Sequence, residues 1–338
     1  MASIDAAVPD VLGDGWVRQT LRLRPDARGA AVATLVHRTE PDAGRTAVLY
    51  LHGLNDYFFH PHVADALVAG AGGRGYELYG LDLRDHGRSI RPGREPNDTR
   101  ALAAYAEEID AAVQVLHLRH DRVVLLGHST GGLTAALWAD ARRGTGLVDA
   151  VVLNSPWLDL RAPWLTRTVL TPVLDVLGRV APSLPVARLA PYYGQALHVG
   201  SGGEWDYDLA WKPHDGFAVR AGLVRAVRRG QARVARGLAI DVPVLVATSD
   251  ATGPDDRWHD RLLTSDSVLD VADMRRLAPR LGPDVTLVEI AGGAHDLALS
   301  PAPARAVYLS AVTGWLDRRL AAQGEHEEHG EPAGAPTA

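Results

Sequence analysis

A serine among glycines, a histidine among glycines and several aspartates between them are the residues of this 338-residue chain best spaced to act on one another. The serine is Ser129 in LLGHSTGG, bracketed by Gly127 and Gly131 as G-x-S-x-G. That pattern has chemical meaning only on a tight turn from a strand into a helix. There the serine takes a strained backbone conformation that small neighbours permit. Such a turn lifts the hydroxyl above the sheet and aims the amide of Thr130, at the helix start, toward a developing oxyanion. A serine hydroxyl also needs a base, and the base needs a partner that fixes its tautomer. His295 in AGGAHDLALS is the best base, with Gly292, Gly293 and Ala294 leaving room around it. The acid should precede it in the order serine, acid, histidine. Asp250, Asp255, Asp256, Asp266 and Asp270 compete for that place, and Asp266 is preferred.

These residues can meet only if the elements carrying them end on one rim. Residues 123–126 are a continuous apolar run, as in a strand buried on both faces, and Leu133, Leu137 and Trp138 follow at helical spacing. Upstream, 16–24 and 30–38 read as an antiparallel hairpin, 46–51 as a strand ending at His52 and Gly53, 61–72 as a helix and 76–82 as a strand. A helix over 98–118 leads into the strand 122–128, and another strand follows at 147–155. Downstream, strands at 242–249 and 285–290 alternate with helices at 270–281 and 302–321. This alternation predicts an α/β fold: a mostly parallel sheet with helices on both faces. Residues 156–235 break the rhythm. They are rich in proline, tryptophan and arginine and show no convincing strand, so they read as an inserted helical lid. Leu165, Val169, Leu170, Val173, Leu174 and Leu177 would give it an apolar face, and GGEWDYDLAWKP at 202–213 is a candidate for its entrance. The expected organisation is a core over 11–155, the lid over 156–235, the rest of the core over 236–321, and a polar, disordered tail over 322–338.

The segments LYLHGLNDYFF, LDLRDHGRS, LLGHSTGG, SDSVLD and GGAHDLALS resemble the α/β-hydrolase superfamily, in particular its monoacylglycerol-lipase and serine-aminopeptidase-like branch. The resemblance covers about residues 46–320. It implies a serine hydrolase of the α/β-hydrolase fold that cleaves a carboxylic ester, with Ser129 as nucleophile, His295 as base and Asp266 as acid. The segment Asp266 to Val271 resembles the family's acid-bearing stretch, although the insertion ATGPDDRWHDRLLTS separates it from the preceding strand. The resemblance also places a second oxyanion donor, the amide of Leu54, just after His52 and Gly53. In LDLRDHGRS, Asp85 stands where the family more usually has glycine, and Arg84, Asp85 and Arg88 are expected to brace the rim loops. Amide or peptide cleavage, acyl transfer and lactone formation use the same residues, and a non-catalytic ligand-binding protein could share the fold.

Composition narrows the alternatives. A net charge of −6 without a basic patch argues against a nucleic-acid partner, and no apolar run approaches the length of a membrane span. There is no cysteine, which removes disulfides and thiolate chemistry, and Lys212 is the only lysine. The N-terminal stretch lacks a basic segment followed by an apolar one, so a cytoplasmic location is expected. His60, His62 and Asp65 imitate a metal motif, but Ala66 stands where a further histidine should follow. The glycine-rich 70–75 precedes a strand, whereas a dinucleotide fingerprint follows one. No cofactor or metal is expected, because a base and an oxyanion site suffice for acyl transfer. The expected partner is a small acyl ester.

Overall fold

The computed structural model describes residues 3–40, 45–69, 75–161, 173 and 175–328. Two short strands, β1 (Ser3–Ile4) and β2 (Val8–Pro9), lead into the hairpin of β3 (Trp16–Arg22) and β4 (Val32–Arg38). Then come β5 (Thr46–Leu51), α1 (Pro61–Ala69), β6 (Tyr76–Asp82), α2 (Ala106–His117), β7 (Val123–His128), α3 (Thr130–Ala141) and β8 (Ala150–Asn154). The intervening segment holds β9 (Pro185–Ala187), α4 (Tyr192–Leu197), β10 (Val219–Arg220) and α5 (Ala221–Arg236). The chain closes with β11 (Val244–Ser249), α6 (Val271–Leu277), β12 (Val285–Ile290) and α7 (Ala302–Glu328).

Nine strands run in the order β1-β3-β4-β6-β5-β7-β8-β11-β12, with β2 added on β3. From β6 to β12 every neighbouring pair is parallel, and the hairpin joins this array antiparallel through β4 and β6. Central strands β6, β7, β8 and β11 are buried along their whole length, which is why they are mostly apolar rather than alternating. Alternate residues still part to opposite faces. Leu49, Leu51 and Leu125 join a cluster with Ile109 and Val113 of α2 and Leu133 of α3. Their neighbours Val48, Tyr50, Val124 and Leu126 pack with Val63 and Leu67 of α1 and with Tyr308, Val312 and Leu316 of α7. Fully burying side chains of this size stabilises the fold by roughly 1.5–3 kcal/mol each.

The structure departs from the sequence expectations in four places. The helix expected from 98 begins as a 3-10 turn at Leu102–Tyr105, because Asn97 takes a φ of 57° and Asp98 pairs with Arg28. The helix expected through 281 gives way at Ala278–Arg280 to a 3-10 turn containing Pro279, which has no amide to donate. Within 156–235, where no strand was expected, β9 and β10 pair antiparallel. Strands of two or three residues are too short to show alternation. Finally, α7 continues past 321 to Glu328, into the stretch expected to be a disordered tail. Of the supposed lid-helix face, Leu165, Val169, Leu170 and Leu174 lie outside the described residues, as do 70–74 of the glycine-rich stretch. Val173 is exposed and Leu177 half-buried. Among the described residues no helix is long and apolar enough to cross a membrane.

The parallel direction puts the ends of β5, β7, β11 and β12 on one rim, with Leu51 opposite Gly127 and Ser249 opposite Ile290. The segments after these ends carry Leu54, Ser129, Asp266 and His295.

Candidate active site

Ser129 joins β7 to α3 with a φ of 53° and a ψ of −115°, a conformation that strains any side-chain-bearing residue. The surroundings enforce it. Its amide donates to Asn154 O at 3.0 Å, and its carbonyl accepts from the amides of Leu133 and Trp157 at 3.1 and 3.0 Å. The glycines are needed for space. A Cβ on Gly131 would sit 2.3 Å from the carbonyl oxygen of His52, and one on Gly127 would sit 2.6 Å from that of Gly131. The helix start therefore packs directly against the loop after β5, which brings Leu54 and Thr130 to the same side of Ser129.

His295 Nε2 lies 3.1 Å from Ser129 Oγ, and its Nδ1 lies 3.0 Å from Asp266 Oδ2. An ionised carboxylate only accepts, so Nδ1 carries the proton and Nε2 offers its lone pair to the serine hydroxyl. Asp266 Oδ1 accepts from the amides of Val268 and Leu269 at 3.0 and 2.7 Å, which fixes the carboxylate plane. Burial alone would raise the Asp266 carboxyl above its ordinary value. The His295 imidazole, its hydrogen bond and those two amides outweigh burial and hold it below. All three side chains are at least nine-tenths buried.

The insertion before Asp266 does not displace it, because 251–265 is a loop pinched at its neck. The Asp266 amide donates to Ala251 O at 2.8 Å, and the Gly253 amide donates to Asp266 O at 2.8 Å. The competing aspartates are engaged elsewhere. Asp250 accepts from the Gly292 amide at 3.0 Å, Asp270 caps α6 through the Ala272 amide at 2.9 Å, and Asp255 faces Arg161 at 3.5 Å. The His295 loop is tied down by residues that sequence reasoning passed over. Ser249 Oγ donates to Gly293 O at 2.7 Å, Asn154 Nδ2 donates to Asp296 Oδ1 at 2.8 Å, and the Asp296 amide donates to the Tyr193 hydroxyl at 2.9 Å.

The amides of Leu54 and Thr130, the expected oxyanion donors, have no acceptor among the described residues. Both residues line a cavity of about 320 Å³ over Ser129 and His295, whose apolar wall includes Trp157, Leu189, Leu197, Leu262 and Leu299. Tyr207, Lys212 and Pro213 of the 202–213 segment line it too. Around the rim, Arg84 pairs with Glu107 and Glu108, Asp85 with Arg94 and Arg28, and Arg88 with Asp10 and Asp82. The φ of 63° at Asp85 explains why glycine suits that position. His60, His62 and Asp65 do not converge: they turn to Asp296, to Ala298 O and to Arg38.

Two buried imidazoles, His128 beside Ser129 and His86 packed on His52, make stability pH-dependent. Burial lowers His128 from 6.5 to about 4 and His86 from 6.5 to about 3. A depressed folded value means that the unfolded chain binds more protons below pH 6.5. The stabilisation is complete above that pH and is lost as the pH falls toward 4 and then 3. Each contributes at most about 1.4 kcal/mol per pH unit. Calorimetry between about pH 7 and pH 4.5 should show the melting temperature falling steadily with acidification. A flat profile would contradict buried neutral imidazoles.

A nucleophile elbow, an imidazole and a buried carboxylate on one rim of a mostly parallel sheet define an α/β-hydrolase. Within that class the chain belongs to the serine aminopeptidase, S33, family, whose model matches residues 42–302. It is similar to a monoacylglycerol lipase of Mycolicibacterium smegmatis, with 27% identity over 300 residues, 88% of this chain and 91% of the relative. Among solved structures it resembles the monoacylglycerol lipase of Paleococcus ferrophilus, with a TM-score of 0.61 and 22% identity over 82% of this chain and 96% of that one. A soluble variant of monoglyceride lipase from Saccharomyces cerevisiae, in complex with a substrate analogue, also gives a TM-score of 0.61. Its identity is 14%, over 94% of both chains.

Proposed function

We propose that the protein is a serine hydrolase that cleaves a carboxylic ester of a small, monoacylglycerol-like or lysolipid-like acyl substrate. The observation that carries this is the hydrogen-bonded line Ser129 Oγ, His295 Nε2, His295 Nδ1, Asp266 Oδ2, with links of 3.1 and 3.0 Å, beneath an apolar cavity. Ser129 attacks the ester carbonyl while His295 takes its proton. Asp266 holds the imidazole and stabilises the imidazolium, and the Leu54 and Thr130 amides receive the oxyanion. The imidazolium then protonates the leaving alcohol. Water, activated by the same imidazole, attacks the acyl-enzyme and releases the acid. The 156–235 insertion acts as the lid, supplying Trp157, Leu189 and Leu197 to the acyl wall.

The apolar wall predicts a dependence on acyl length. Burial of one methylene is worth about 0.8 kcal/mol, so kcat/KM for p-nitrophenyl esters should rise by up to about fourfold per methylene from acetate until the cavity is full. Steady-state kinetics on an acetate-to-decanoate series measure this, and a strict preference for acetate would contradict the lipid-like assignment.

A further inference from the structure

Beyond its ties to its surroundings, such as the Asn55 amide to Asn97 Oδ1 at 3.2 Å, the loop that carries Leu54 has three consecutive residues after Leu54 that are each gripped by one distant segment. Asn55, with a φ of 54°, donates through Nδ2 to Pro213 O at 2.8 Å and accepts at Oδ1 from the Phe217 amide at 3.2 Å. Asp56 Oδ1 meets Lys212 Nζ at 2.5 Å. The Tyr57 hydroxyl accepts from the Asp208 amide at 2.8 Å, and its ring meets Trp211 edge-on at 5.2 Å. The central contact is an ion pair, formed by the only lysine of the chain. Side-chain exposure is 2% for Asp56 and 14% for Lys212, so water screens the pair little. Phe59 and Tyr207 complete the enclosure, with ring centroids 5.3 and 5.6 Å from Nζ.

The charge matters because of where it lies. Asp56, His128 and Asp296 bring a polar atom each to within 4.8 Å of one another, all buried and all bordering the cavity. Two buried carboxylates so close to Ser129 oppose a developing oxyanion unless they are compensated. Asp296 has His60 and Asn154 as hydrogen-bond partners, and Asp56 has Lys212. An ammonium, a compact point charge with three donors, fits this pocket as a planar guanidinium would not.

We infer that Lys212 is a positioning residue for the oxyanion loop: its ion pair with Asp56 holds the Leu54 amide in line with Ser129 and neutralises a carboxylate that would oppose the transition state. The inference rests on the hydrolase mechanism proposed above and adds to it a residue that touches neither nucleophile nor base. Residues 207–217 thereby couple the cover of the cavity to its oxyanion site.

A chain with one lysine and no cysteine allows position 212 to be rebuilt chemically. In Lys212→Met, kcat for p-nitrophenyl butanoate should fall by about 10²-fold, the cost of a misplaced catalytic group, with KM little changed. Phosphonylation of Ser129 by a fluorophosphonate should slow in proportion. In Lys212→Cys, alkylation in urea with 2-bromoethylamine followed by refolding restores an ammonium of nearly lysine length and should recover most of kcat. Alkylation with iodoacetamide, which leaves a neutral cap, should not. An unchanged kcat in folded Lys212→Met, a change confined to KM, or equal rescue by the neutral cap would overturn the inference. So would a neutral-capped protein that circular dichroism shows to be unfolded, since the role would then be structural. Wild-type protein inert to both ester and fluorophosphonate would instead sink the hydrolase assignment itself.

Discussion

Ser129→Ala should fold as the parent does and lose about 10⁶-fold in kcat toward p-nitrophenyl butanoate. Folding should survive because the substitution removes only Oγ. The Cβ stays, the elbow keeps its φ of 53°, and the backbone bonds to Asn154, Leu133 and Trp157 do not involve the hydroxyl. The loss is large because Ser129 Oγ is the hydroxyl bonded to His295 Nε2 among the described residues: without it, the base and the oxyanion donors can only assist water. Turnover by stopped-time assay, with the melting temperature as a control for folding, measures both halves. A folded Ser129→Ala protein retaining more than about a hundredth of the parent rate would move the nucleophile elsewhere.

Asp266→Asn should cost about 10⁴-fold in kcat with a modest effect on KM. Asparagine preserves shape, and its Oδ1 can still accept from the Val268 and Leu269 amides. Its amide nitrogen then faces His295 Nδ1 and donates, which turns the imidazole to the tautomer whose Nε2 bears hydrogen and cannot take the serine proton. Asp250→Asn and Asp270→Asn are the controls. Asp250 is exposed and caps the Gly292 amide, and Asp270 caps α6, roles that an asparagine oxygen fulfils. Both should stay within about twofold of the parent, as surface substitutions do. Loss of activity in Asp250→Asn together with an active Asp266→Asn would reverse the assignment of the acid.

The sheet was legible because its signals are local. Residues 46–51, 76–82 and 123–128 are predominantly apolar and give way at His52-Gly53, Asp82 and Gly127-His128, and each is a parallel strand. Ser129 and His295 could be singled out because Ser129 follows β7 directly and His295 comes in the short glycine-rich loop after β12, so chain order alone sends them to one rim. Asp266 was harder, since Asp250 and the insertion ATGPDDRWHDRLLTS stand between β11 and it. The pinch between Ala251, Gly253 and Asp266 that returns the chain to the rim consists of backbone bonds, which leave no mark in residue types. The same holds for β9 and β10. The long-range polar ties were illegible for another reason. Asn154 with Asp296, Asp56 with Lys212 and Asp208 with Tyr57 each join residues more than a hundred positions apart. Lone polar residues of this kind look like surface until the fold buries them, and a solitary Lys212 in an arginine-rich chain reads first as a matter of base composition. The mark such residues do leave is a charged side chain in an aromatic setting, as in DYDLAWKP.

The central claim is that Ser129 is a nucleophile activated by His295. Incubating the folded protein with a fluorophosphonate, digesting it and mapping the adduct by mass spectrometry tests this most directly, because the reagent reports serine activation without requiring the natural ester. The account predicts one adduct, on Ser129, formed more slowly in Asp266→Asn and absent in Ser129→Ala. Folded protein left unlabelled at Ser129, or labelled at another serine with Ser129 untouched, would contradict it.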